Sequence, residues 1–273
     1  DIERVLEELK KYPDLERIVI SGEEAVTLSN EESVLVMVDY HKPSMSISQK
    51  VYDVFDKIAV IDHHRRGDEF PDKPLLTYIE STASSASELV AELIQYRSTR
   101  KTQIPKFITT SLLAGIYVDT KNFSVRTTGR TFDIAGYLKN QGADTSLVQY
   151  MLSTDLDSYL MISELVSKSK HYKEDIVIAV ADDKRVYDSV TVAKAADTLL
   201  SINGIHAAFV ITRQPSKLIG ISARSTGKIN VQVLMEALGG GGHFTNAATQ
   251  IKDKSLDEVK KMLIQELNKL ERE

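Results

Sequence analysis

The chain has 273 residues, of which 42% are hydrophobic, and this is enough for a packed core in each of two domains. Its 34 basic and 39 acidic residues leave a formal charge of −5, which argues against general binding to duplex DNA or anionic lipid, so any phosphate binding has to be local. The absence of cysteine excludes a disulfide framework, a zinc knuckle and a thiol nucleophile but leaves hard-metal chemistry open.

In the first half of the chain, short apolar runs alternate with helical patterns, which is typical of a parallel sheet. The sequence predicts a helix in "IERVLEELKKY", a short helix in "SQKVYDVFD", and strands in "RIVI", "SVLVMVD", "KIAVID" and "LLTYI". A helix in "STASSASELVAELIQY" can be capped by its serine cluster. A further apolar helix is predicted from about Pro105 to Val118 and leads to Asp119.

Two of the predicted strands end in residues that can bind a metal ion. Asp39 ends one strand, and Asp62, His63 and His64 end the next. Ligands of a parallel sheet bind at the carboxyl ends of its strands, so we expect these side chains to lie close together. Hard divalent cations need carboxylates and imidazoles from separate elements, and Asp39, His63 and Asp119 could form such a set. Taken singly, Asp39 and Asp119 also fit ordinary cap or turn positions.

From Asp175 the alternation of elements begins again. We predict a strand in "IVIAVA", a helix in "TVAKAADTLLSI", strands in "HAAFVIT" and "LIGISARS", a helix over 229–237 and a final amphipathic helix. The fold class is therefore α/β, with a parallel-sheet domain over 1–150 and a smaller second domain over 173–273. The segment 151–172 is predicted to be a connecting helix.

A glycine run in the second half is a candidate anion site. It consists of Gly239, Gly240, Gly241 and Gly242 and stands before His243. Backbone amides without side chains can approach an anion closely, although a flexible turn is the alternative. Arg224 and Ser225 end the strand ahead of this run, where Arg224 offers a bidentate fork to a phosphate or, alternatively, a surface ion pair.

Four arginines, Arg65, Arg66, Arg126 and Arg130, flank the acidic candidates of the first half. They could ease the entry of a dianion, and a solvated rim explains them nearly as well.

Four motifs in order along the chain, "VDYHKPSM", "VIDHH", "GIYVDTKNF" and "GGGGHFTNAA", resemble those of the DHH phosphoesterase superfamily with its second, DHHA1 domain. Within that superfamily, "VDYHKPSM" and "DHHRRG" look most like the bacterial membrane-anchored enzymes that hydrolyse cyclic-di-AMP. The resemblance implies a Mn2+-dependent phosphodiesterase that opens cyclic-di-AMP to linear pApA. It also implies that the second, DHHA1 domain over 173–273 is built on a mixed sheet.

The resemblance also implies a role for each candidate. Asp39 would bridge two Mn2+ ions, and His63 and Asp119 would complete the shell of one of them. Asp62 would orient an imidazole and His64 would face the phosphate, unless His64 is simply hydrogen-bonded into the sheet edge. The glycine run, His243, Arg224 and Ser225 would bind the nucleotide.

One family motif is not found in this sequence. The first motif of the family, a histidine followed by Asp-x-Asp, is absent from residues 1–33, so we expect at most one weakly bound metal and little or no activity. We expect a soluble, cytoplasmic piece of a longer protein. The resemblance implies a parent with PAS-like and degenerate GGDEF domains, tethered at the cytoplasmic face of the cell membrane, and leaves a homodimer open.

Two other functions fit the same residues. One is a nuclease for short oligoribonucleotides that also dephosphorylates 3′-phosphoadenosine 5′-phosphate. The other belongs to a different class, a catalytically dead nucleotide-binding regulatory module. Without the resemblance, composition and spacing reach only a two-domain metal phosphoesterase.

Overall fold

The computed structural model describes residues 2–97, 104–215 and 217–270. The chain divides into two compact units, residues 1–153 and 154–273. Both units combine helices with a sheet, which confirms the α/β class. Within the described ranges, no helix is both long enough and apolar enough to cross a membrane.

The first unit contains three short parallel strands. They are β1 (Leu35–Val38), β2 (Ile58–Asp62) and β3 (Leu76–Ile79), in the order β1-β2-β3. β2 is central and buried along its whole length, as a strand in a parallel sheet is expected to be. Val38 pairs with Ile61 across the sheet, so the carboxyl ends of β1 and β2 lie at the same edge. The predicted parallel sheet is confirmed.

The helices of the first unit supply most of its remaining core. They are α1 (Ile2–Leu9), α2 (Pro13–Glu16), α3 (Gly22–Leu28), α4 (Gln49–Val54), α5 (Ala86–Arg97), α6 (Lys106–Asp119), α7 (Gly129–Asn140) and α8 (Thr145–Leu152). Leu113 and Ile116 of α6 pack with Leu138 of α7 and Val148 of α8. Burying each such side chain contributes about 1.5–3 kcal/mol, and this packing holds the end of α6 in place.

One predicted strand of the first unit is not formed. Residues 17–20, the "RIVI" run, adopt turn and coil, and Ile18, Val19 and Ile20 are exposed. The backbone continues from α2 in a turn, in which Val19 N donates to Glu16 O at 3.0 Å. A four-residue apolar run has too little periodicity to distinguish a strand from a turn, and that prediction is wrong.

The second unit is built on a mixed six-stranded sheet. Its strands are β4 (Ser169–Lys173), β5 (Ile176–Val180), β6 (Ala207–Arg213), β7 (Ile219–Ser225), β8 (Gly241–Gly242) and β9 (Asn246–Ile251). Their order is β4-β5-β6-β7-β9-β8, and β5 and β6 are parallel while the other neighbours are antiparallel. The predicted mixed sheet is confirmed.

Helices cover both faces of this sheet. They are α9 (Leu156–Ser167), α10 (Ser189–Leu200), α11 (Val231–Ala237) and α12 (Leu256–Leu270). Phe209 and Ile211 of β6 belong to the core under α11 and α12, while Ala208 and Val210 belong to the core under α9 and α10, as side-chain alternation along a strand requires. α9 lies in the segment predicted as a connecting helix, and it contributes to the core of the second unit.

Candidate active site

The ends of β1 and β2 bring a carboxylate and an imidazole together. The backbone N of Asp39 donates to Ile61 O at 3.0 Å, which holds the first residue after β1 against β2. Asp39 has φ +70°, in the left-handed region that Asp tolerates better than most residues. In this position its Oδ1 lies 3.3 Å from Nε2 of His63. The parallel register therefore places these two side chains in contact, as the sequence predicts.

Asp119 joins them from the last turn of α6. Its Oδ2 lies 3.7 Å from Nε2 of His63. The next residue, Thr120, is buried; its hydroxyl donates to Ile116 O at 2.6 Å and accepts from Phe123 N at 2.9 Å. Residues 121–123 all have positive φ, so the chain leaves the helix in a tight left-handed turn. Thr120 thus fixes the backbone on which Asp119 stands.

The orientation of His63 leaves its Nε2 available for a cation. Nδ1 lies 3.3 Å from Ala83 O, and a carbonyl oxygen can only accept, so Nδ1 carries the proton. A metal-binding histidine is usually held in this way through its other nitrogen. His64 belongs to the same cluster, since ligand atoms of Asp39, His63 and His64 all lie within 4.8 Å of one another. These donors fit a hard divalent cation.

The two carboxylates and the imidazole of this cluster shift one another's pKa values. Burial raises the pKa of Asp119 above its usual value, the neighbouring Asp39 adds to the rise, and His63 opposes it. The pKa of His63 is raised chiefly by the carboxylate of Asp39 next to its Nε2, against burial and with help from Asp119. Two carboxylates therefore surround one imidazole, and this excess of negative charge attracts a cation.

Asp62 is fully buried and orients His64. Its Oδ1 accepts from the backbone N of His64 at 3.1 Å and lies 2.7 Å from His64 Nδ1, while its Oδ2 lies 2.6 Å from Nδ1 of His41. Burial alone would raise the pKa of Asp62, but the hydrogen bonds from His41 and His64 outweigh it and hold the pKa below its usual value. Sequence reasoning assigned no role to His41, although it lies within the motif "VDYHKPSM".

The arginines near the first site are not all free to meet a substrate. Arg130 is bound to Glu92 and donates to the hydroxyl of Tyr78 at 2.8 Å. The guanidinium of Arg66 lies 4.2 Å from the centre of the Phe70 ring. Arg130 is thus part of a polar network between β3, α5 and α7, which makes it a structural residue.

Arg224 and Ser225 of the second unit already have partners. Nε of Arg224 donates to Asp197 Oδ1 on α10 at 3.2 Å, and its side chain is 14% exposed. Ser225 is buried, and its hydroxyl accepts from the backbone N of Gly227 at 3.0 Å and of Ile229 at 3.3 Å. Ser225 therefore shapes the loop after β7.

The glycine run forms an edge hairpin. Gly241 pairs with Ala248 and Gly242 with Ala247. A Cβ on Gly240 would lie 2.2 Å from Ala248 O, and one on Gly242 would lie 2.5 Å from Ala247 Cα. These glycines permit a close approach of two backbones, a use that anion binding does not require.

His243 follows the glycine run directly. It is exposed, and its backbone N donates to Asn246 O at 2.7 Å, which closes the turn between β8 and β9. The imidazole is thus presented at the end of the hairpin.

Comparisons with known proteins agree with this architecture. The DHH family N-terminal domain matches residues 3–116, and the DHHA1 domain matches residues 161–269. The cyclic-di-AMP phosphodiesterase PdeA of Listeria monocytogenes is 48% identical over 264 residues, covering 97% of this chain. This chain spans 40% of the length of that relative.

Solved structures share the fold at low identity. An exopolyphosphatase-related protein from Bacteroides fragilis superposes with a TM-score of 0.78 at 22% identity, over 96% of this chain and 76% of its own. RecJ from Thermus thermophilus, in complex with Mn2+, superposes with a TM-score of 0.51 at 12% identity, over 90% of this chain and 46% of its own. The chain thus consists of a DHH domain followed by a DHHA1 domain, and it belongs to the metal-dependent DHH phosphoesterase superfamily.

Proposed function

We propose that this chain is the catalytic part of a metal-dependent phosphodiesterase that hydrolyses cyclic-di-AMP to linear pApA. The observation that carries the proposal is the cluster at the strand ends, where Nε2 of His63 lies 3.3 Å from Asp39 and 3.7 Å from Asp119. The choice of substrate follows from the 48% identity to PdeA, a cyclic-di-AMP phosphodiesterase. Since the chain spans 40% of that relative, the activity of the whole protein is part of the proposal.

Asp39, His63 and Asp119 would hold the cation, for which we propose Mn2+, with Asp39 bridging to a second ion in a complete site. When bound, the metal supplies positive charge that stabilises the phosphoryl oxygens as the reaction proceeds. The Mn2+ in the RecJ structure, which has the same fold, supports this choice. Ala83 keeps His63 turned toward the carboxylates by accepting from its Nδ1.

His64 would act on the phosphate directly. Its Nδ1 donates to Asp62, so its Nε2 is the nitrogen left to face the phosphate, and in the doubly protonated ring Nε2 would donate to a phosphate oxygen. The side chain is 52% exposed, which allows a ligand to reach it. Asp62 would hold this ring in one orientation and thereby reduce the cost of aligning it with the substrate.

The DHHA1 domain would bind the nucleotide through the glycine hairpin Gly239–Gly242, His243, Arg224 and Ser225. His243 is exposed next to the hairpin and is free to turn toward a phosphate or a base. A guanidinium has five N–H donors; Nε of Arg224 donates to Asp197, and Nη1 donates to Ser222 Oγ at 3.2 Å and to Ala223 O at 3.1 Å. The N–H groups on Nη2 are the ones that would meet a phosphate. Ser225 would contribute by shaping the loop after β7. We propose that residues 1–150 form the metal-binding catalytic domain, residues 151–172 a connecting helix and residues 173–273 the substrate-binding domain.

We propose that this chain alone holds one cation and hydrolyses slowly. Within the residues that the structure describes, ligand atoms of Asp39, His63 and His64 all lie within 4.8 Å of one another, and Asp119 comes within 3.7 Å of His63. Two ions about 3.5–4 Å apart need more ligands than these. For the whole protein, we propose attachment to the cytoplasmic face of the membrane and regulation by PAS-like and degenerate GGDEF domains, with a homodimer as one assembly.

The test is hydrolysis of cyclic-di-AMP in the presence of Mn2+, by this chain and by the full-length protein, with products separated by chromatography. We expect pApA from the full-length protein and little from this chain. Two further substrates, a short oligoribonucleotide and 3′-phosphoadenosine 5′-phosphate, are measured in parallel. Faster turnover of either one would transfer the assignment to that substrate class. Binding of cyclic-di-AMP without turnover of any substrate by the full-length protein would instead indicate a regulatory module.

A further inference from the structure

A buried histidine outside the metal cluster connects the two loops that follow β1 and β2. His41 is 3% exposed, and each of its ring nitrogens has a partner. Nδ1 lies 2.6 Å from Asp62 Oδ2, and Nε2 lies 3.1 Å from the backbone N of Gly67. The first partner belongs to the end of β2, and the second follows Arg65 and Arg66. The imidazole of His41 therefore links Asp62, which orients His64, to the loop that carries Arg65 and Arg66.

The directions of these hydrogen bonds follow from their donors. The backbone N of Gly67 can only donate, so Nε2 of His41 accepts. Nδ1 of His41 then carries the proton and donates to Asp62. Asp62 accepts a hydrogen bond from His41 on Oδ2 and one from His64 on Oδ1, so both of its carboxylate oxygens are fixed. A carboxylate fixed in this way cannot rotate without breaking one of these bonds.

Further contacts hold the same two loops together. Ser44 donates to Glu69 from its backbone N at 2.6 Å and from its hydroxyl at 2.7 Å. The centres of the Phe70 and His41 rings lie 5.7 Å apart, and the guanidinium carbon of Arg66 lies 4.2 Å from the centre of the Phe70 ring. The loop after β2 is therefore tied to the loop after β1 by several contacts, and the most deeply buried of them is the hydrogen bond between His41 and Gly67.

We propose that His41 is a positioning residue with two separable effects. Through Asp62 it holds His64 in the orientation that acts on the phosphate, and through Gly67 it holds the loop that carries Arg65 and Arg66 where a dianionic ligand is bound. The catalytic part of this inference rests on the proposed function. The hydrogen-bond arrangement does not, and it can be measured without substrate or metal.

The first experiment uses proton–nitrogen correlation NMR of the histidine rings of this chain, at mildly alkaline pH. We expect the His41 ring to be protonated on Nδ1 and to show a scalar coupling from its Nε2 to the amide nitrogen of Gly67. His171, which is exposed, serves as the reference ring. A His41 ring protonated on Nε2 would overturn the proposal, whatever the enzyme does.

The second experiment separates the two bonds in the full-length protein. His41→Asn places an amide near the position of Nδ1 and so retains a donor to Asp62, but it loses the acceptor for Gly67. His41→Gln places its amide near the position of Nε2 and so retains the partner of Gly67, but it loses the donor to Asp62. We expect His41→Gln to lower kcat by about 10–100-fold, since it acts on the group that orients His64. His41→Asn should mainly raise KM, by roughly fivefold for one lost hydrogen bond.

His171→Asn is the matched control, and neither kcat nor KM should change. If both His41 variants changed kcat and KM equally, or changed only thermal stability, the positioning role would be wrong. If a variant failed to fold, the NMR result on the unaltered chain would still decide the hydrogen-bond arrangement. If the full-length protein turned over no phosphodiester although the His41 bonds were observed, the proposed function would fail and only the structural part of this inference would stand.

Discussion

The strand ends of the first unit and the glycine hairpin of the second differ in how they use their motif residues. In the first unit, Asp39 and His63 are held by backbone carbonyls and leave ligand atoms facing each other. In the second, Gly240 and Gly242 lie where two strands approach closely and leave no room for a side chain. The hydroxyl of Ser225 accepts from two backbone amides of its own loop. Motif residues thus bring ligand atoms together in one unit and largely shape the backbone in the other.

The largest expected effect tests the chemical side of this comparison. Asp39→Asn removes a negative charge from the centre of the cluster while keeping the size of the side chain. If Asp39 is a metal ligand, kcat/KM of the full-length protein for cyclic-di-AMP should fall by about 1,000-fold, which corresponds to several kcal/mol of charge stabilisation. Asp14→Asn, an exposed change on α2, is the control and should leave the rate unchanged. Equal rates for both variants would remove Asp39 from the site.

The second prediction tests the geometric role of the hairpin. In Gly242→Ala, the new Cβ would lie 2.5 Å from Ala247 Cα, at a φ of +146° that alanine rarely adopts. We expect the free energy of unfolding of this chain to fall by about 2–4 kcal/mol, from the clash and the strained backbone together.

Gly136→Ala on α7 is the matched control for this change. No heavy atom lies within 4 Å of its added Cβ, and alanine is the better helix former, so unfolding should become harder by about 0.5–1 kcal/mol. Urea unfolding measures both changes. A neutral Gly242→Ala would show that the hairpin tolerates side chains, and the glycines would then need another explanation.

The third prediction concerns the support of Asp119. Thr120→Val keeps the volume of the side chain but removes the hydroxyl that bonds to both Ile116 and Phe123. Unfolding should become easier by about 1–3 kcal/mol, because the loss leaves a polar group of the turn without a partner. Mn2+ binding, measured by calorimetry, should weaken by about tenfold if the turn positions Asp119.

Thr27→Val on α3 is the control for Thr120. Its hydroxyl also bonds to the carbonyl four residues earlier, Glu23 O at 2.9 Å, but at an exposed position. The free energy of unfolding should change by no more than about 0.5 kcal/mol, and Mn2+ binding should not change. Similar values for the two valine variants would contradict a special role for Thr120.

The smallest expected effect separates two uses of Arg224. Arg224→Gln and Asp197→Asn both break the same ion pair. If Arg224 also binds a phosphate of the substrate, Arg224→Gln should raise KM by roughly fivefold more than Asp197→Asn, as expected for one lost charge-assisted hydrogen bond. Matching KM values would place Arg224 with Ser225 among the residues that only shape the domain.

The parts of the site that could be predicted from the sequence are those set by local pattern. Asp39 and His63 follow apolar runs of strand length, and parallel strands bring their carboxyl ends to one edge, so their meeting could be expected. The role of His41 could not, because its partners Asp62 and Gly67 are 21 and 26 residues away and meet it only through the fold. The "RIVI" run failed for the opposite reason, since its local pattern has no partner strand in the described structure.

The sequence by itself determined the α/β class, the parallel and mixed sheets, the four family motifs and the candidate ligands, because strand periodicity and motif spacing are local properties of the chain. Only the tertiary structure decided which of those residues face each other and which are already engaged. It joined His41 to Asp62, turned Arg224 toward Asp197 and closed the glycine run into a hairpin. Contacts between distant segments depend on packing of the whole unit, and no local pattern encodes the distances that result.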